Sequence, residues 1–182
     1  MRRLLVLLLL ALPVPALALT PGELLQGLRA EAPVRARFVE RRDLMALDAP
    51  IVVEGTLSFT PPDRLVREDV APEPATYTVE GDRVRVEAKG GTRTLSLAAQ
   101  PLLAALVLPF RATLQGDLAA IEGAYTATVA GDATDWRLDL VPKDQALRRT
   151  IRTIGIEGGR TIRKVTIEAV AGDRIVTTLA PL

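Results

Sequence analysis

The 182-residue sequence contains neither cysteine nor histidine. Without cysteine there is no disulfide and no thiolate ligand for a metal. Without histidine the chain lacks the usual general base of enzymes and the commonest metal ligand. Acyl transfer would require a serine–lysine pair, and the only serines are Ser58, on the polar side of a predicted strand, and Ser96. We therefore predict a protein that is not an enzyme and that uses no metal or cofactor.

Aromatic residues are also scarce, with three Phe, two Tyr and one Trp. An interior made mostly of Leu, Val, Ala and Ile would be smooth enough to accept a flexible apolar chain. A GC-rich genome would produce the same composition. For the composition considered by itself, the genome is a better explanation than an interior adapted to an apolar chain. The charges are nearly balanced, with 23 basic and 22 acidic residues. This balance predicts no binding to nucleic acid or to a charged membrane surface.

The N-terminus has the pattern of a secretory signal peptide. Arg2 and Arg3 precede an apolar run at residues 4–12, and an A-x-A cleavage site follows at residues 16–18. We predict that 1–18 is a signal peptide, that 19–182 is a single domain, and that the mature protein is exported to a periplasm. The alternative is an uncleaved anchor, for which the apolar run is short.

Most of the predicted mature chain alternates between apolar and polar residues, which is typical of strands with one wet face. Five glycine-led pairs between the alternating segments predict tight hairpins: 81–82, 90–91, 131–132, 158–159 and 172–173. The count is about eleven strands in meander order. A sheet of this size curls by its own twist. The sequence predicts a mainly β protein with a few helices, an open trough capped by helices; a closed barrel around a central helix is the competing architecture.

Two segments predict helices. Thr20, Pro21 and Glu23 form a helix start, and the apolar stripe that follows reaches Ala32. The second segment, residues 100–121, is apolar at every position from 102 to 108 and must be buried on all sides or press against an apolar cavity. Pro109 is expected to stop this helix near residue 108, with a second break at 116–117. The helix either covers an apolar cavity or completes an ordinary core.

The order of several motifs resembles the LolA family, the periplasmic carriers of lipoproteins to the outer membrane. The matching residues are a G-x-L-x-F-x-x-P pattern, which begins at Gly55 and ends at Pro62, and the W-x-L-x-L-x-P-K-D run at 136–144. The resemblance implies an open antiparallel half-barrel of about eleven strands with helices as a lid. It also implies a monomer that takes a lipid or lipoprotein from an inner-membrane transporter, shields its acyl chains, and delivers it to an outer-membrane acceptor. The alternative function is a sensor or accessory protein that binds a lipidated partner without transporting it.

The resemblance also suggests which side chains line a lipid-binding cavity. These are Phe38, Leu57, Phe59, Leu65, Leu102, Leu103, Leu106, Val107, Phe110, Leu114, Trp136 and Leu138. In the family an arginine before the motif proline helps to hold the lid, but this sequence has Pro61 there. Arg64 and Arg67 are the candidates to replace that arginine.

Overall fold

The computed structural model describes residues 19–182, except for the side chain of Leu102. The predicted signal peptide at 1–18 lies outside the described residues. Eleven antiparallel strands form one sheet. The strands are β1 (Val34–Asp43), β2 (Ile51–Thr60), β3 (Arg64–Ala71), β4 (Ala75–Glu80), β5 (Arg83–Ala88), β6 (Gly91–Ser96), β7 (Tyr125–Gly131), β8 (Trp136–Pro142), β9 (Ile151–Gly158), β10 (Ile162–Ala169) and β11 (Arg174–Pro181).

The strands follow one another as a meander, and the two halves of the chain meet in the middle of the sheet. The spatial order is β6-β5-β4-β3-β2-β1-β11-β10-β9-β8-β7, in which β1 pairs with β11 with Phe38 opposite Leu179. Strands β6 and β7 are the two edges, so the sheet stays open. The predicted architecture of about eleven strands in an open half-barrel is confirmed, and the closed barrel is not formed.

Within the described residues, four helices accompany the sheet: α1 (Pro21–Ala30), α2 (Pro101–Gln115), α3 (Leu118–Ala124) and α4 (Gln145–Arg148). Helix α1 begins with the predicted capping box, in which Thr20 and Glu23 bond to each other's backbone N–H. Helices α2 and α3 connect strand β6 at one edge of the sheet to strand β7 at the other. The chain therefore crosses the open side of the half-barrel as helix. Within residues 19–182, none of the helices combines the length and the apolar character that crossing a membrane requires.

The predicted stop at Pro109 is wrong, because α2 runs through this residue to Gln115. A proline inside a helix has no N–H to donate to the carbonyl four residues earlier, here that of Ala105. The hydroxyl of Tyr125 donates to that carbonyl instead, at 3.0 Å. Burial raises the pKa of Tyr125 to about 12, so the hydroxyl keeps its proton at neutral pH. The side chain of a residue distant in sequence thus satisfies the acceptor that Pro109 leaves without a partner.

The second predicted break is confirmed. Helix α2 ends at Gly116, which has a positive φ of 72°, and Asp117 caps α3 by accepting a hydrogen bond from the N–H of Ala120 at 2.9 Å. The cover of the sheet therefore consists of one long helix and one short helix.

On the inner face of the sheet, which faces the helices, neighbouring atoms approach the backbone closely at Gly55. A Cβ atom at this position would lie 2.0 Å from the backbone oxygen of Glu68 on β3 and 2.8 Å from the ring of Phe38 on β1. The register of β2 and β3 also shifts next to this glycine. Only glycine lets the Phe38 ring and the neighbouring strand come this close, which explains the first residue of the G-x-L-x-F pattern.

Replacing Gly55 with alanine tests this close approach. We expect Gly55→Ala to lower the free energy of unfolding by about 3 kcal/mol, because backbone or the Phe38 ring must move. The measurement is urea unfolding followed by circular dichroism. The control is Gly27→Ala in α1, where no atom lies within 4 Å of the added carbon. There alanine should stabilise the helix by up to about 1 kcal/mol. Equal effects of the two changes would contradict the steric argument.

Candidate functional site: a cavity beneath helix α2

A cavity of about 470 Å³ lies between the inner face of the sheet and helix α2. It is half open to solvent, and aliphatic side chains provide most of its surface. The residues that line it are Glu40, Arg42, Leu44, Leu57, Leu65, Arg67, Asp69, Tyr77, Val79, Val84, Leu103, Leu106, Val107, Phe110, Val165, Ile167, Ile175, Thr177 and Leu179. Strands from both halves of the sheet therefore contribute to one apolar space.

Helix α2 forms the roof of the cavity with one of its faces. Leu103, Leu106, Val107 and Phe110 line the cavity, and their spacing of three and four residues places them on the same side of a helix. Each of these side chains is only half-buried, because it faces an unfilled space. Leu108 lies on the other side and is 38% exposed. The continuous apolar run in the sequence thus supplies residues both to the side of α2 that faces the cavity and to the side that faces solvent.

The structure separates the side chains that the sequence assigned to the cavity into two groups. Six of them line it: Leu57, Leu65, Leu103, Leu106, Val107 and Phe110. Five are buried in the packed core outside the lining: Phe38, Phe59, Leu114, Trp136 and Leu138. The side chain of Leu102 lies outside the described residues. The alternation of a strand shows which face a residue occupies, but it does not show how far along the strand the cavity extends.

Sequence reasoning missed the polar part of the lining. Glu40 and Arg42 on β1, Arg67 and Asp69 on β3, and Thr177 on β11 all face the cavity. The period-two alternation that buries Ala36 and Phe38 on β1 continues to Glu40, so the signal was present. It was overlooked because a charged residue on an apolar face is normally a break in the pattern.

Glu40 is the centre of this polar cluster. Its carboxylate accepts hydrogen bonds from Arg67 at 2.8 and 3.2 Å, from Arg42 Nε at 2.8 Å and from the Thr177 hydroxyl at 2.8 Å. Arg67 also donates from Nε to Asp69 at 2.7 Å, and its guanidinium lies 4.2 Å above the ring of Phe38. The cluster therefore ties β3, β1 and β11 together across the inner face of the sheet.

The electrostatics of the cluster favour its charged state. Burial by itself opposes ionisation of Glu40, but the hydrogen bonds and charge of Arg67, together with Arg42 and Thr177, outweigh it and lower the pKa to about 2. Burial likewise opposes the charge of Arg67, but its bonds to Glu40 and Asp69 raise the pKa of the guanidinium. The hydrogen bonds and ion pairs within the cluster therefore keep its side chains ionised in an otherwise apolar cavity.

The low pKa of Glu40 predicts an acid-sensitive contribution to stability. A carboxylate whose pKa is depressed on folding contributes fully above its unfolded pKa of 4.5 and loses the contribution as the pH falls toward 2. We expect about 3 kcal/mol of unfolding free energy to depend on Glu40 in this range. Urea unfolding at pH 5 and pH 2 measures the loss of unfolding free energy between these two pH values. This loss should be smaller in Glu40→Gln than in the wild type. Glu54→Gln on the exposed face of β2 is the matched control for loss of one charge. An acid loss of the same size in Glu40→Gln and the wild type would refute this role.

Two hydrogen bonds connect the roof of the cavity to turns of the sheet. Arg111 of α2 donates to the backbone oxygen of Gly81, in the turn after β4, at 2.7 Å. Gln115, one helical turn further, donates to the backbone oxygen of Pro62, in the turn after β2, at 2.9 Å. Both contacts lie in the C-terminal half of α2, and the residue before its first turn, Gln100, makes no side-chain capping bond. Together with the bond from Tyr125 to Ala105, these contacts attach the roof at three points along α2.

Neither of the arginines proposed to hold the lid has this role among the described residues. Arg64 pairs with Glu80 at 3.3 Å, and Arg67 belongs to the polar cluster beneath the cavity. The side chains of α2 that bond to turns of the sheet are Arg111 and Gln115.

Removing the Arg111 contact should loosen the roof. We expect Arg111→Ala to lower the free energy needed to open α2 locally by about 1 kcal/mol. Amide hydrogen exchange in residues 103–115 would then be about fivefold faster. Arg93→Ala, which removes an exposed arginine from β6, is the control. Unchanged exchange in α2 of Arg111→Ala would show that apolar packing alone holds the helix.

The model of a family described as outer membrane lipoprotein carrier protein LolA-like matches residues 14–181. The chain belongs to this LolA-like family. The resemblance found in the motifs is therefore confirmed. No match was found among curated protein sequences.

Several solved structures are similar to this chain at low sequence identity. The LolA superfamily protein NE2245 from Nitrosomonas europaea is 11% identical, with 90% of this chain and 92% of that chain aligned and a TM-score of 0.50. A putative outer membrane lipoprotein-sorting protein domain from Vibrio parahaemolyticus is 9% identical over 87% of this chain and 89% of that chain, with a TM-score of 0.44. The lipoprotein LppX from Mycobacterium tuberculosis is 10% identical over 86% and 93%, with a TM-score of 0.38. At such low identity the likeness concerns the fold alone.

Proposed function

We propose that the protein is a periplasmic carrier that binds the acyl chains of a lipoprotein or another lipid in the cavity beneath α2. The observation that carries this proposal is the half-open cavity of about 470 Å³, which has aliphatic walls on both the sheet side and the helix side. Membership of a family described as lipoprotein carriers supports the same function.

The chemistry of the cavity suits an acyl chain. Transfer of each methylene from water to an apolar site is worth about 0.8 kcal/mol, so a long chain binds without many polar contacts. Aliphatic side chains such as Leu57, Val165 and Ile167 offer no special geometry and accept a chain in many conformations. The roof also opens at low cost, because the side-chain hydrogen bonds that link α2 to the sheet are few, those of Arg111, Gln115 and Tyr125. Binding and release then need only a movement of the helix.

The carrier proposal includes a route. The protein is exported by its signal peptide and, acting as a monomer, receives its cargo from an inner-membrane transporter. It then shields the acyl chains in the aqueous periplasm and delivers the cargo to an acceptor at the outer membrane. No covalent step is needed. A sensor that binds a lipidated partner would use the same cavity but would not transfer lipid.

Placing a charge in the roof tests the acyl-binding proposal. Leu106→Glu puts a carboxylate among the apolar side chains of the cavity. We expect it to weaken binding of a fluorescent acyl probe at least about a hundredfold, because a buried unpaired charge is costly. The fold should survive, since Leu106 is only half-buried and its helix can tilt toward solvent. Probe titration by fluorescence and a circular dichroism melt measure the two properties.

The matched control is Leu108→Glu, two residues away on the exposed side of the same helix. It should bind the probe like the wild type. Failure of the wild type to bind any acyl probe would refute acyl binding. If the wild type binds the probe but does not transfer labelled lipid between donor and acceptor vesicles, the sensor function replaces the carrier.

A further inference from the structure

Asp69 is a charged residue in an unusual position for an apolar cavity. It lies on β3, two residues after Arg67, and its side chain is only 9% exposed. It also lines the cavity, on the sheet side opposite the aliphatic roof. An acyl chain that enters the cavity therefore meets a carboxylate.

The two carboxylates of the polar cluster differ in their hydrogen bonds. Both oxygens of Glu40 are occupied, Oε1 by the two arginines and Oε2 by Arg67 and Thr177. Asp69 uses only Oδ1, which accepts from Arg67 Nε. Its Oδ2 makes no hydrogen bond among the described residues. Among the described residues, no side-chain oxygen that lacks a hydrogen-bond partner is fully buried, so Oδ2 keeps some exposed surface, on a residue that lines the cavity.

The charges of the cluster cancel. Glu40 and Asp69 contribute two negative charges, and Arg42 and Arg67 contribute two positive charges. An anionic group beside Oδ2 would face the Asp69 carboxylate, and a cationic group would face the Arg67 guanidinium close by. The group that this position accepts without charge repulsion is an uncharged hydrogen-bond donor.

Filling the cavity makes such a donor necessary. While the cavity is empty of cargo, water can solvate Oδ2. A bound acyl chain displaces that water, and the oxygen then loses its hydrogen bonds unless the cargo replaces them. Cargo with a donor at the right point therefore binds more tightly than cargo without one.

We infer that Asp69 recognises an uncharged hydrogen-bond donor, a hydroxyl or an amide N–H, near the polar end of the acyl chain. The inference rests on the proposed acyl binding and adds a substrate class to it. The cavity selects acyl amides or hydroxyl-bearing acyl lipids over free fatty acids and over esters that have no donor.

Two neutral ligands that differ by a single donor test this selectivity. N-methyl lauramide carries one amide N–H, and N,N-dimethyl lauramide replaces it with a methyl group. We expect the wild type to bind the N-methyl compound about tenfold more tightly, as displacement of a fluorescent acyl probe would measure. In Asp69→Asn an N–H₂ group replaces Oδ2 while Oδ1 still accepts from Arg67. The ratio of the affinities for the two amides should therefore fall close to one.

The control variant is Glu68→Gln, the neighbouring carboxylate on the same strand, which bonds to Thr56 on the outer face. It should keep the wild-type preference. Equal affinities of the wild type for the two amides would overturn the inference while leaving acyl binding intact, and this comparison needs no variant to fold. Tighter binding of laurate than of either amide would also overturn it, because the arginines would then be the recognition groups. No binding of any of these ligands would refute the proposed function together with the inference.

Discussion

The structure depends on one constraint, which is that an open sheet with an apolar inner face has no second sheet to cover it. Strands β6 and β7 are the edges, and the chain between them must cross the open side. It crosses as α2 and α3, so the same segment that links the edges also covers the apolar face. A helix over a curved sheet cannot touch it everywhere, and the half-open cavity is the space that remains. The composition of α2, the burial of α1 against it and the shape of the site all follow from this arrangement.

The continuity of α2 matters for this cover. With a stop at Pro109 the roof would consist of separate short pieces. The Tyr125 hydroxyl removes the reason for a stop by bonding the carbonyl of Ala105, and the Thr113 hydroxyl bonds the carbonyl of Pro109 at 2.7 Å. Tyr125 is the first residue of the edge strand β7, directly after α3. Its bond to Ala105 therefore connects the end of the cover at β7 to the N-terminal half of α2. The roof is consequently a single helix, attached through Tyr125 in its N-terminal half and through Arg111 and Gln115 in its C-terminal half.

The polar cluster gives the inner face a second role besides burying apolar surface. Arg67 reaches from β3 across β2 to Glu40, and it passes over the Phe38 ring where Gly55 carries no side chain. Glu40 is also bonded to Thr177 on β11. These contacts fix the relative positions of four adjacent strands at the middle of the sheet, where the two halves of the chain meet. They also leave one oxygen of Asp69, a residue that lines the cavity, without a hydrogen bond among the described residues.

Local patterns in the sequence determined the strands, their meander order, the capping of α1 and the break at Gly116, because each depends on periodicity or on backbone conformation within a few residues. The motif order was enough to indicate the family, and the apolar run was enough to indicate the roof with Leu106 and Phe110. Only the tertiary structure decided the rest. Pro109 is tolerated through a hydroxyl that is distant in sequence, Trp136 and Leu138 pack away from the cavity, and Arg67 serves the sheet instead of the lid. In each case the deciding partner lies on another element, and the pattern along one strand or helix carries no information about it.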